Sequence, residues 1–170
     1  MKTFAAVMVT FAIAITTFQS PPVLGADLLA GSPTIQPELI NPSALKWVKT
    51  IPALGKDSPE YAILHEDPKT HLTMLMFRTP VAVHIKPHTH DLAETHVVLL
   101  GGTHVFESNG VRYNVENGGY FRMPGGVVHE AWLPAGSQTL NILESGWLVN
   151  WLHGGPSSED ANKYPPATTR

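Results

Sequence analysis

The sequence predicts an all-β domain built as a barrel or jelly roll, and three features carry that prediction. From Leu45 onward the chain breaks into short apolar segments separated by turn residues, which is the pattern of brief strands rather than of amphipathic helices. Glycine and proline, 14 and 15 in 170 residues, recur too often for a helical bundle, because both break helix interiors. Asn109-Gly110 sits between two apolar segments, a strong hairpin signal because both residues tolerate positive φ. Many short strands in one modest domain bury their faces and limit open edges best in a barrel or jelly roll.

Residues 1–26 read as an export signal: Lys2, an apolar run from Phe4 to Phe18, then Pro21, Pro22 and the small residues Gly25 and Ala26,. The run is shorter than the roughly 20 apolar residues that span a bilayer and is interrupted by threonines. The expectation is therefore a mature chain beginning near Asp27, periplasmic or secreted, with no stable membrane insertion. Residues 27–44, rich in Pro, Gly and Ser without a period, are expected as an N-terminal arm.

Strands are expected over Glu60 to His65, Leu72 to Arg78, Val81 to Lys86, His96 to Leu100, His104 to Ser108, Val111 to Val115, Tyr120 to Met123, Val127 to Trp132 and Thr139 to Leu152. Asn117-Gly118-Gly119 and Pro134-Ala135-Gly136 punctuate the later ones. The segment from Trp47 to Pro52 fits an edge strand or a lid, and also plain packing. The domain is thus placed at residues 45–153, and the proline-rich polar residues 154–170 are expected as an extended or disordered end,.

Composition narrows function. With 43% hydrophobic residues the chain has a core to bury, and a formal net charge of -3 with scattered basic residues argues against a nucleic-acid partner. The absence of cysteine rules out both disulfides and thiolate metal sites. Any metal must sit on nitrogen and oxygen.

Such donors cluster twice. His88 and His90, two apart, share a face on an extended strand, and Glu94 can join them if the chain turns. Further on, tight turns at Gly118 and Pro124-Gly125-Gly126 can deliver His129 on a neighbouring strand. Three neutral imidazoles and a carboxylate suit one divalent ion of Fe, Mn, Ni, Zn or Cu and leave positions open on a metal that prefers five or six ligands. A lone His-x-His is a chance pattern; two donor groups with matching turn residues are much harder to assemble by accident.

These two stretches resemble the paired motifs of the cupin superfamily. The first matches at His88, His90, Glu94 and Gly101 and departs in having Ala82 where the family usually has glycine. The second matches at Gly118, Pro124, Gly126 and His129 and departs at Leu133, where the family often has asparagine. The resemblance covers about Leu45 to Leu152. It implies a double-stranded β-helix, the jelly-roll barrel of RmlC-like cupins, with a metal held by His88, His90, Glu94 and His129, and pairing through an edge strand to a homodimer.

His96 shares strand parity with Glu94 and so is expected to face the interior beside it, as a partner or proton carrier or as a rim histidine. His84 shares parity with His88, but Pro87 stands between them and can disturb the register,. His65, His71, His104 and His153 have no constellation around them and are expected at the surface or in structural roles. Tyr120, Met123 and Trp132 flank the second motif and are candidates for a pocket mouth.

The function expected from these residues is that of a metal-dependent enzyme acting on a small organic molecule. Dioxygenase chemistry is the first choice, ahead of isomerase, lyase and decarboxylase reactions, with Glu94 and His96 as the catalytic pair. The alternative is a non-catalytic module that stores metal or senses a ligand; storage predicts a closed and fully coordinated ion, whereas an enzyme predicts an open position beside a pocket.

Overall fold

The computed structural model describes residues 37–166. The expected export signal and most of the expected arm lie outside them. From Leu39 on, the described chain forms two antiparallel sheets whose inner faces share one core. In chain order the strands are β1 (Val48–Lys49), β2 (Glu60–Glu66), β3 (Thr73–Thr79), β4 (Val83–Thr89), β5 (Glu94–Leu100), β6 (His104–Ser108), β7 (Val111–Val115), β8 (Tyr120–Met123), β9 (His129–Leu133), β10 (Ser137–Leu143) and β11 (Asn150–Trp151). One sheet runs β1-β2-β3-β10-β5-β8 and the other β11-β4-β9-β6-β7. This is the expected all-β jelly roll.

Alternation builds it. β3 and β10 pair along their whole length, Ser137 with Thr79 through Leu143 with Thr73, and on both every second side chain is buried, as the two-residue period of a strand requires. Leu75, Phe77, Val98 and Leu143 from the first sheet meet Val83, Phe106, Ala131 and Leu133 from the second in one apolar cluster. β6 and β7 close through the two-residue loop Asn109-Gly110, with φ of 52° and 72°, the left-handed pair that a tight hairpin needs.

One departure from regular pairing decides what faces inward. On β4, Ile85 is opposite Ala131 and His88 is opposite His129, so three steps on β4 match two on β9. The extra residue is a bulge at Lys86-Pro87, where proline has no N–H to give to a ladder. Its effect is to turn both Ile85 and His88 into the interior and to leave His84 outside.

At the edge, β1 pairs with β2, so the Trp47 to Pro52 segment supplies an edge strand. Arg78 lies 3.9 Å over the Trp47 ring and bonds Glu60 through two guanidinium nitrogens at 2.8 and 2.6 Å. In the segment after β11, Ser157–Asn162 is fastened to the chain at the start of β4. Asp160 caps Ser157 (N–H to Oδ2, 2.8 Å), pairs with Lys86 at 3.3 Å and is only 3% exposed. Asn162 N–H donates to Ala82 O at 2.7 Å, and Ala161 bridges to Val83. The polar composition of the segment hides one well-placed carboxylate that anchors it.

Burial alone would raise the Asp160 pKa, but the Ser157 N–H and the Lys86 ammonium outweigh it and hold the carboxyl below its ordinary 3.8. A depressed carboxyl stabilises the fold fully above that ordinary value and loses the contribution as pH falls through the lower folded value. Asp160→Asn is therefore expected to lower stability by about 1–2 kcal/mol at pH 7, with the gap to wild type closing below pH 3.8. Urea denaturation at a series of pH values measures it; a gap that persists at low pH would refute the anchoring role.

Candidate metal centre

Four side chains from three neighbouring segments converge at one end of the interior. His88 comes from β4, His90 from the turn after it, Glu94 from the first position of β5 and His129 from the first position of β9. They are 4%, 4%, 4% and 3% exposed, and one donor atom from each lies within 4.8 Å of all the others. The bulge explains His88. The Pro124-Gly125-Gly126 turn explains the meeting of the two motifs: Gly126 N–H donates to His90 O at 2.8 Å, and a Cβ on Gly125 would lie 2.5 Å from Asp91 O. Only glycine permits so close an approach.

Hydrogen bonds orient each ring. Nδ1–H of His88 donates to Lys86 O at 2.7 Å, that of His90 to Leu148 O at 2.7 Å and that of His129 to Val127 O at 3.0 Å. With Nδ1 carrying the proton, every Nε2 lone pair is left to point inward, the arrangement that backbone carbonyls impose on metal-binding histidines. Glu94 Oε2 joins them, 3.1 Å from His90 Nε2 and 3.3 Å from His129 Nε2. The His90 nitrogen is fully buried and, despite that short distance, is not aligned for a hydrogen bond.

Three lone pairs and a carboxylate oxygen facing one point repel one another unless a positive charge lies between them. The donor set fits a divalent transition metal without further change. Burial pushes His88 down to about 4, reinforced by His129, so its ring is neutral and free to ligate near pH 7. Burial also pushes His90 down, but Glu94 more than offsets it and the result is raised. Burial would raise Glu94; the charge of His96 holds it well below the usual carboxylate range instead.

His96 lies where parity placed it. Its Nε2 is 3.1 Å from Glu94 Oε1, the oxygen that faces away from the cluster, and its ring packs on Phe106 with centroids 5.0 Å apart. Beyond the cluster opens a small pocket. Its wall is largely apolar: Phe77, Ile85, Phe106, Leu133, Trp147 and Trp151 among others.

A search with protein-family models and one of curated protein sequences returned no match. Solved structures do match. An RmlC-like cupin from Shewanella frigidimarina NCIMB 400 superposes with a TM-score of 0.55 at 14% identity, over 66% of this chain and 94% of that one. The chain has the cupin fold. An acetylacetone dioxygenase from Acinetobacter johnsonii matches with a TM-score of 0.52 at 17% identity, covering 67% of this chain and 76% of its own. KdgF from a Halomonas species matches at 0.51 and 17%, over 62% and 92%.

Several expectations about the surroundings of this pocket need correction. Tyr120 is 62% exposed, and Met123 and Trp132 are buried away from the pocket. Trp132 stacks instead on His84, at 4.7 Å and 7°, and His84 Nε2 meets Glu130 Oε2 at 2.6 Å, on the outward side of β4. Of the two places expected for His104, it takes the structural one: it is 0% exposed and burial pulls it down to about 4, so it packs as a neutral ring. The tryptophans at the pocket are Trp147 and Trp151, beside Phe77 and Phe106; both fall in the segment from Thr139 to Leu152 expected as one strand, which the structure divides into β10 and β11.

The division of roles within the site is testable by metal content. His88→Ala and His129→Ala are expected to lower affinity for cobalt(II) by orders of magnitude, because a direct donor is lost. His96→Ala should retain stoichiometric metal with affinity reduced about 10- to 100-fold, the usual effect of an outer partner. Metal analysis after dialysis at matched pH decides; His96→Ala emptied as fully as His88→Ala would make His96 a ligand.

Proposed function

We propose that the chain is an exported, metal-dependent enzyme that acts on a small oxygenated organic molecule, with dioxygenase chemistry as its reaction. The observation that carries this reading is the juxtaposition of the inward-facing donor set with an apolar pocket open beside it. A metal store has no use for such a pocket, so the geometry favours catalysis over storage. The acetylacetone dioxygenase among the structures of like fold supports the choice of reaction.

His88, His90, His129 and Glu94 Oε2 would hold the ion, which when bound supplies Lewis-acid and redox chemistry to a chelating enol or diol and to dioxygen. The chain's own groups prepare the reaction. Phe77, Ile85, Phe106, Leu133, Trp147 and Trp151 keep water from the reacting end and fit the apolar part of the substrate,. Glu94 is positioned to take a proton from the substrate, and His96, hydrogen-bonded at Oε1, is positioned to carry it onward,.

Two measurements test the proposal. Protein loaded separately with Fe, Mn, Ni, Zn or Cu and supplied with a β-diketone in air should consume one dioxygen per diketone with at least one metal, followed at an oxygen electrode. His96→Ala should slow that uptake about 10²-fold or more while keeping its metal. Lack of oxygen uptake with every metal would remove the dioxygenase reading.

Export is tested by the mass of protein recovered from its native host. The mature chain is expected to begin near Asp27; an intact Met1 in the mature form would end that part of the proposal.

A further inference from the structure

The pocket wall is polar on one strip only. Apart from the cluster, the polar side chains that line it are Thr50, His96, Thr139 and Asn141. Thr50 spends its hydroxyl on Pro59 O at 3.0 Å, and His96 faces Glu94. Thr139 and Asn141 lie two apart on β10 and so share a face, and Asn141 is the register partner of His96 on β5. The strip therefore runs from Glu94 through His96 to Asn141 and Thr139, along one wall of an otherwise apolar chamber.

Asn141 has an unused capacity. Thr139 Oγ1–H donates to its Oδ1 at 2.6 Å, which fixes the amide plane and leaves both Nδ2 hydrogens without a partner among the described residues. The residue is 3% exposed, and what remains open faces the pocket. The amide donor is thus presented to the pocket, where an acceptor oxygen can take its hydrogens,.

We infer that Asn141 is a specificity-determining residue: its amide N–H groups bind an acceptor oxygen of the substrate that is distinct from the oxygens at the metal. The substrate class is a small metal-chelating compound with an apolar body and one further carbonyl or ether oxygen. The inference rests on the proposed metal-enzyme reading and deepens it. Thr139 is the positioning residue that keeps Oδ1 turned away and the donors turned inward.

Two chelators that differ in a single atom test it: 1-methoxypentane-2,4-dione, and heptane-2,4-dione, in which a methylene replaces the ether oxygen. Cobalt(II)-loaded protein is titrated with each, without oxygen, and the shift of its visible bands gives the two dissociation constants. The ratio of affinities, ether over methylene, should fall by about threefold to tenfold in Asn141→Leu. Asn141→Asp retains the shape and the Thr139 hydrogen bond but presents an acceptor, so the ratio should fall at least as far, and it decides the matter if the leucine variant does not fold. Cobalt content should match wild type in both. A ratio unchanged within twofold, with both diones still shifting the bands, overturns the role of Asn141 and leaves the metal-enzyme reading in place. If neither dione shifts the bands of wild-type protein, the open metal position is refuted, and the inference with it.

Discussion

Glu94 is an ionised carboxylate with 4% of its surface exposed, and the architecture of this end of the domain follows from keeping it charged. Removing a carboxylate from water costs several kcal/mol even after the surroundings relax. Here the compensation is local: His96 lies on one oxygen, while the other faces the nitrogens of His90 and His129. The two oxygens are thereby made unequal. Oε1 is committed to His96, and Oε2 is the one that meets the imidazole nitrogens, so the partner of Oε1 determines which oxygen can ligate.

Placing the remaining donors around Oε2 requires two backbone irregularities. A regular β4 would have pointed His84 and His88 to the same side; the bulge at Lys86-Pro87 separates them, so His88 joins the cluster while His84 stacks outside on Trp132. The Pro124-Gly125-Gly126 turn then lets the second motif press against the backbone of the first. A third link reaches further. His90 is oriented by Leu148 O, within the segment that also places Trp147 and Val149 in the pocket wall, so ring orientation and pocket shape depend on the same stretch of chain.

What could be read in the sequence was whatever depends on short-range pattern. Strands β6, β7 and β8 match their expected bounds, because each is bracketed by a turn of specific chemistry such as Asn109-Gly110. The grouping of His88, His90, Glu94 and His129 was legible for a related reason, since the histidine pair and the turn glycines are local. The register of β4 against β9 was not legible, because a bulge depends on the partner strand. Nor were Trp147, in irregular backbone, and Trp151, in the two-residue strand β11, because neither has a period of two around it, or the contact between Asp160 and Ser157.

The cluster is also where the molecule breaks its own rules. Elsewhere in the interior Thr79 is matched to Ser137 and to Pro134 O. At the cluster, three backbone carbonyls take the Nδ1 protons and drive lone pair against lone pair, and burial drives His88 down to about 4, away from the proton that would relieve the repulsion. Local choices that conflict with stability and agree with one another are the mark of a functional site. The conflict has one resolution that satisfies every donor at once, a cation at their meeting point. The fold holds the donors in place for it through backbone bonds that lie outside the cluster itself.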